Sequence, residues 1–154
     1  VFELPEDGRI FRSWGEIAHG LINLNQALIR SSNTYFFNLA YNSGINELAD
    51  DFQKFGFGKT VCVDCILEDR GLVPIPQWKM NNLNFGWFKG DTVNIGVGQG
   101  YISVTPIQLA HYTAALANKG TKKPKNRFVQ EKPIGASLSC LVFLFSNVIT
   151  ANAI

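Results

Sequence analysis

Three neighbouring residues, Ser31, Ser32 and Asn33, offer two hydroxyls and an amide within one turn of chain, between two runs of helical periodicity. Side chains of these types can hold a proton or a polar substrate group. On residue type alone, however, they read as the stop of one helix and the cap of the next, each satisfying an orphan backbone N–H. Other reactive groups are thinly spread. His19 stands in a glycine-rich stretch with no carboxylate or cysteine at helical spacing, which favours a surface or capping histidine over a catalyst. Glu47, Asp50 and Asp51 could be taken for an acid pair, but they fall on what reads as the outer face of an amphipathic helix, where carboxylates are solvated. Cys62 and Cys65 form a lone CxxC without the second pair or clustered histidines of a closed zinc site. VCVDCIL reads as a continuous strand, so ordinary apolar packing is expected of both cysteines, and with three cysteines in the chain at least one is unpaired. Neither a metal nor a cofactor is expected.

The elements around these residues follow from pattern. The 154-residue chain is nearly half apolar, has twelve phenylalanines and carries a net charge of +2, a composition that suits one modest packed domain. The short basic group Lys122, Lys123, Lys125 and Arg127 reads as a solvated loop, and nucleic acid is not expected as a partner. Residues 1–20 read as an extended lead-in with a short strand near Ile10 and Phe11. Two short helical runs follow, one on Leu24, Ala27 and Leu28 and one on Phe36, Phe37, Ala40 and Tyr41. An amphipathic helix then buries Ile45, Leu48 and Phe52, leaves Asp50, Asp51 and Lys54 outside and ends at Gly56 and Gly58. The stretch from Glu68 to Thr92, rich in Pro, Gly and Asn, reads as a long loop pinned by Trp78, Phe85, Trp87 and Phe88, with too few cations to stack single-stranded nucleic acid.

Between Gly90 and Gly120 the β-branched run Thr92, Val93, Ile95 and Val97 reads as a strand ending in a turn at Gly96, Gly98 and Gly100. Thr105 before Pro106, with Gln108 three residues on, predicts a boxed helix start. That helix is expected to carry Leu109, Thr113 and Leu116 beside a small-residue face of Ala110, Ala114 and Ala117 for close packing, and to stop at Gly120.

The strings FFNLAYNSGI, KFGFG and GDT followed by GQGYISVTPIQLA, in unbroken order from about Ile10 to Gly120, resemble the transpeptidase domain of the penicillin-binding protein 2 family, class B penicillin-binding proteins. The resemblance implies an α+β fold of the serine β-lactamase/transpeptidase type, helices packed on a mainly antiparallel sheet, of which this chain holds mostly the helical part. It implies peptidoglycan stem peptides and β-lactams as ligands, cell-wall elongation proteins as partners, and a place on the periplasmic side of the bacterial inner membrane. In the family's reaction a serine attacks the penultimate D-alanine carbonyl of a stem peptide and passes the acyl group to a neighbouring amine. Ser31-Ser32-Asn33 falls where the family carries its SxN motif. The resemblance thus gives Ser31 the role of relaying protons between nucleophile and catalytic lysine, and Asn33 that of holding the lysine and the substrate backbone. Capping and catalysis are compatible, since a rigid helix start fixes both groups.

Two family motifs have no counterpart. No serine has a lysine three residues on, so the SxxK nucleophile is absent, and Lys59-Thr60-Val61 is a false match to the KTG motif, leaving Lys59 a surface lysine. Relatives carry SxxK several tens of residues before SxN, more than precede Ser31 here, so a truncated domain that is inactive alone is expected. The division expected is a partial transpeptidase domain over 1–121 and a divergent tail over 122–154, the latter read as a buried element or the product of a shifted reading frame. No export signal is visible at the start. The alternatives are a non-catalytic module that docks peptidoglycan or protein through the aromatics from Trp78 to Phe88, and a helical interaction protein anchored to membrane by its tail.

Overall fold

A computed structural model describes residues 1–13, 20–62 and 67–120. Among the described residues it is an α+β fold, with a small antiparallel hairpin and five helices. The hairpin pairs β1 (Phe2–Glu3) with β2 (Ile10–Phe11), Phe2 opposite Phe11 and Glu3 opposite Ile10. The strand expected near Ile10 and Phe11 is therefore present, and its partner β1 was not foreseen. Aromatic contacts seat the hairpin on the second helix: Phe11 and Phe2 lie 5.6 and 6.4 Å from Phe37, and Phe2 lies 5.6 Å from Tyr41, between ring centroids.

Helix α1 (Leu24–Ile29) starts from a reciprocal cap in which Asn23 Oδ1 accepts from Gln26 N and Gln26 Oε1 accepts from Asn23 N. Helix α2 (Asn33–Lys54) joins the second helical run read from sequence and the amphipathic helix after it into one element with a kink at Gly44, whose φ of 77° only glycine adopts freely. Its inner face buries Phe36, Phe37, Ala40, Ile45, Leu48 and Phe52 as expected. Asp51 departs from expectation: it is buried rather than solvated, with Lys54 Nζ 2.9 Å from its Oδ1.

The expected long aromatic loop contains a helix, α3 (Pro76–Leu83), which starts with proline in its first turn and ends on Asn84 in the left-handed region. The expected strand at Thr92–Val97 is also a helix, α4 (Lys89–Ile95). β-Branched residues have only a weak preference against helix, and here burial of Thr92, Val93 and Ile95 against α2 outweighs it. Gly96 is likewise helical in φ, whereas Gly98 and Gly100 are left-handed as expected.

Helix α5 (Pro106–Ala117) begins with the predicted box: Thr105 Oγ1 accepts from Gln108 N, and Gln108 Oε1 accepts from Thr105 N. It ends at Ala117, and the chain turns away through Lys119 and Gly120, both with positive φ. Its packing face differs from expectation. Gln108, Tyr112 and Ala115 are buried, while Ala110, Thr113, Ala114 and Ala117 are exposed. The reason is aromatic: Tyr112 meets Phe55 edge-on at 5.0 Å and Phe57 at 5.4 Å, a site no alanine stripe could fill. Gln108 ties distant backbone together, its Nε2 donating to Lys59 O and Arg70 O, both at 2.8 Å. Two buried clusters result, one where α5 meets the end of α2, the other where the hairpin, α1 and α4 meet the start of α2.

Candidate active site

Between α1 and α2 the chain reverses in two residues. Arg30 closes α1, Ser31 takes a φ of 51°, and Ser32 returns to extended backbone as the residue that opens α2. Ser31 N donates to Leu28 O at 3.2 Å and Ser32 N to Ala27 O at 2.9 Å. A left-handed L-residue costs about 1–2 kcal/mol and persists where surrounding structure over-determines it, as here between two helices and over the fully buried Ala27.

The capping expectation is only partly met. Ser32 occupies the cap position, but its side chain makes no capping hydrogen bond. Ser32 is buried, while its flanks Ser31 and Asn33 are half-buried. Among the described residues neither the Ser31 hydroxyl nor the Asn33 amide has a hydrogen-bond partner, so both stay available to groups outside them. Thr34 pins the turn from the other side: its Oγ1 lies 2.7 Å from Ser13 Oγ, and its N–H donates to that same oxygen. A cavity of about 530 Å³ runs along α2 from this point, lined by Ser32, Thr34, Tyr35, Asn38 and Asn42 with Leu21 opposite; Ser31 and Asn33 do not line it.

Behind the turn, α4 packs on the first turns of α2. A Cβ on Gly96 would collide with the Ala40 side chain and crowd Phe36 O at 3.1 Å, so only glycine permits this approach. The start of α4 is held by an ion pair that sequence reading missed. Lys79 Nζ lies 2.6 Å from Asp91 Oδ2, with side chains only 4% and 16% exposed. The same oxygen accepts from Phe88 N at 2.8 Å. The ammonium sits 4.8, 5.2 and 6.0 Å from the ring centroids of Phe88, Tyr101 and Trp87.

The other chemical candidates stay apart from the turn. Lys59 is an exposed lysine, as expected, with Nζ donating to Gln53 O. Cys62 corrects the expectation of plain apolar packing: it is disulfide-bonded and lies in irregular chain, where Glu68 accepts from the N–H groups of Val61 and Cys62. His19, Cys65 and residues 122–154 lie outside the described residues. Among the described residues no three His, Cys, Asp or Glu side chains come together as a metal group, and no helix is long and apolar enough to cross a membrane.

A helix-rich α+β fold with a small antiparallel sheet is consistent with a transpeptidase domain, and residues 3–132 match the penicillin binding protein transpeptidase domain family. The chain belongs to that family. It is 42% identical over 120 residues to the peptidoglycan D,D-transpeptidase MrdA of Acinetobacter baumannii, covering 78% of this chain and 18% of that protein. To MrdA of Escherichia coli K12 it is 35% identical over 122 residues, covering 79% and 19%. The chain thus spans less than a fifth of the length of these relatives. Among solved structures it is similar to Pseudomonas aeruginosa PBP2 in complex with WCK 5153, with a TM-score of 0.80 and 34% identity over 92% of this chain and 33% of that one. It is also similar to Helicobacter pylori PBP2 in its complex with MreC, with a TM-score of 0.74 and 31% identity over 85% and 25%. The resemblance read from FFNLAYNSGI and GQGYISVTPIQLA is therefore confirmed.

Proposed function

We propose that this chain supplies the SxN part of a peptidoglycan D,D-transpeptidase of cell-wall elongation, with Ser31 and Asn33 facing the reacting groups. The observation that carries this reading is the turn itself: a left-handed, half-buried Ser31 and a half-buried Asn33 flank a buried Ser32, and neither flanking side chain has a hydrogen-bond partner among the described residues. Polar groups held rigidly yet unpaired suit a site that completes its hydrogen bonds with substrate. In the acyl-serine reaction Ser31 Oγ would pass a proton between the attacking hydroxyl and its lysine base, and the Asn33 amide would hold that lysine and the stem-peptide backbone.

Neither the nucleophile nor the KTG docking strand occurs in this sequence, so the chain by itself is inactive, with losses on the order of a millionfold. In the whole protein the site would work on the periplasmic side of the inner membrane with stem peptides and β-lactams as ligands. The MreC complex of a similar PBP2 supports elongation proteins as partners. A non-catalytic docking module has one observation in its favour, the exposure of Phe85 and Phe88.

A chimera separates the readings. Residues 3–120 of this chain replace the matching span of the Acinetobacter baumannii relative, and acylation by a fluorescent penicillin is timed. The chimera should label, and Ser31→Ala and Asn33→Ala should each slow labelling by about a hundredfold or more. Equal labelling of all three chimeras would remove the turn from the mechanism and leave the docking module ahead. Labelling of the unfused chain would refute its inactivity.

A further inference from the structure

We infer that Lys79 is a positioning residue for the Ser31–Asn33 turn, acting through α4; the inference rests on the reading of that turn as the substrate-facing element. Lys79 itself is closed to chemistry. It is buried, its Nζ is bound to Asp91, and the rings of Phe88, Tyr101 and Trp87 surround the ammonium. What it holds is the start of α4. A single oxygen, Asp91 Oδ2, takes both the Lys79 ammonium and the Phe88 N–H, so α3 and the first turn of α4 share one anchor.

The other end of α4 bears on α2 where α2 begins. Gly96 meets Phe36 O and Ala40, and Val93 and Val97 share a buried cluster with Phe36 and Phe37. Phe36 lies one helical turn after Asn33. A seven-residue helix is a short rigid strut, and close-packed interiors transmit displacement rather than absorb it. The tilt of α4 about its Lys79 anchor therefore sets where the first turn of α2 sits, and with it the Ser31 hydroxyl and the Asn33 amide. Trp87 braces the same strut, its Nε1 donating to Thr92 Oγ1 at 2.9 Å.

The test uses the 154-residue chain, ¹⁵N-labelled, and reads the amide signals and hydrogen exchange of residues 31–34 in Lys79→Met, Lys79→Arg and Asp91→Asn. Lys79→Met should shift the Ser31, Ser32 and Asn33 amides and speed exchange of the Ser32 N–H, which is bound to Ala27 O, by about tenfold. Lys79→Arg, which keeps the charge, should restore most of both. A merely local staple would move only residues 76–104, and that result overturns the inference. If Lys79→Met fails to fold, the milder Asp91→Asn decides: signals at 31–34 must still move, and their constancy overturns it equally. Because geometry is read in a chain that performs no reaction, failure here leaves the penicillin-labelling test of Ser31 untouched, and the converse holds.

Discussion

Lys79 Nζ and Asp91 Oδ2 meet at 2.6 Å, twelve residues apart in sequence and nearly sealed from water. Taking two charges out of water is costly, and their mutual attraction with the extra hydrogen bond from Phe88 N offsets that cost only while both are present. Asp91→Leu leaves the ammonium facing three aromatic rings with no anion, and should destabilise the chain by about 3–5 kcal/mol in denaturant unfolding. The double variant Lys79→Met with Asp91→Leu should recover most of that loss, because an apolar pair of similar volume needs no compensation. A double variant as unstable as Asp91→Leu alone would show that the charges were not the issue.

Gly96→Ala tests the strut at its other end. The backbone at Gly96 has φ of −59°, so alanine is conformationally acceptable and the effect is purely steric. The new methyl would overlap Ala40 Cβ and press on Phe36 O, which is backbone and cannot step aside. A destabilisation of about 1–3 kcal/mol is expected from thermal unfolding. Gly86→Ala is the control: nothing lies within 4 Å of a Cβ there and φ is not positive, so its effect should stay within about 0.5 kcal/mol. Equal effects at the two positions would argue against close helix packing at Gly96.

The parts of this molecule that were legible in sequence are those decided locally. The start of α5 needed only Thr105, Pro106 and Gln108, whose groups satisfy each other within one turn. The break between helices at Ser31-Ser32-Asn33 was legible, yet its left-handed Ser31 was not, because serine has no intrinsic preference for that conformation and the two flanking helices impose it. The strand expected over Thr92–Val97 gives way to α4 for the same kind of reason: its β-branched residues favour strand, and burial against α2 decides otherwise. Asp51 and Lys79 carry charges that composition assigns to solvent; Lys54 reaches Asp51 from three residues along the same helix, but only the fold buries Asp51 and brings Asp91 with three rings to Lys79.

Ser31 gives a prediction that separates strain from chemistry. Its left-handed backbone disfavours any side chain with a Cβ, whereas glycine pays only in conformational entropy. Ser31→Gly should therefore be more stable than Ser31→Ala by about 0.5–1 kcal/mol in denaturant unfolding of this chain. In the chimera both variants should lose acylation alike, since both lack the hydroxyl. An alanine variant as stable as the glycine one would mean that the turn is not held left-handed in solution.

Tyr41 links the hairpin to α2 in a pH-dependent way. Its hydroxyl donates to Glu6 Oε1 at 2.8 Å, and the tyrosine is held above its ordinary pKa of 10.0 by that hydrogen bond first, then by burial, then by the Glu6 charge. The sign follows from linkage: the neutral hydroxyl is the bound form, so the contribution to stability is fully present below the unfolded value of 10.0 and is lost as pH rises through the higher folded value. The chain has four tyrosines, and subtracting the alkaline absorbance titration of Tyr41→Phe from that of the unsubstituted chain isolates this one. The difference curve should have its midpoint above 10.0, and Glu6→Gln, which can still accept the hydrogen bond but carries no charge, should lower it. A midpoint at or below 10.0 would mean that Glu6 does not hold the hydroxyl in solution, and that the hairpin rests on its apolar contacts with Phe37 and the Tyr41 ring.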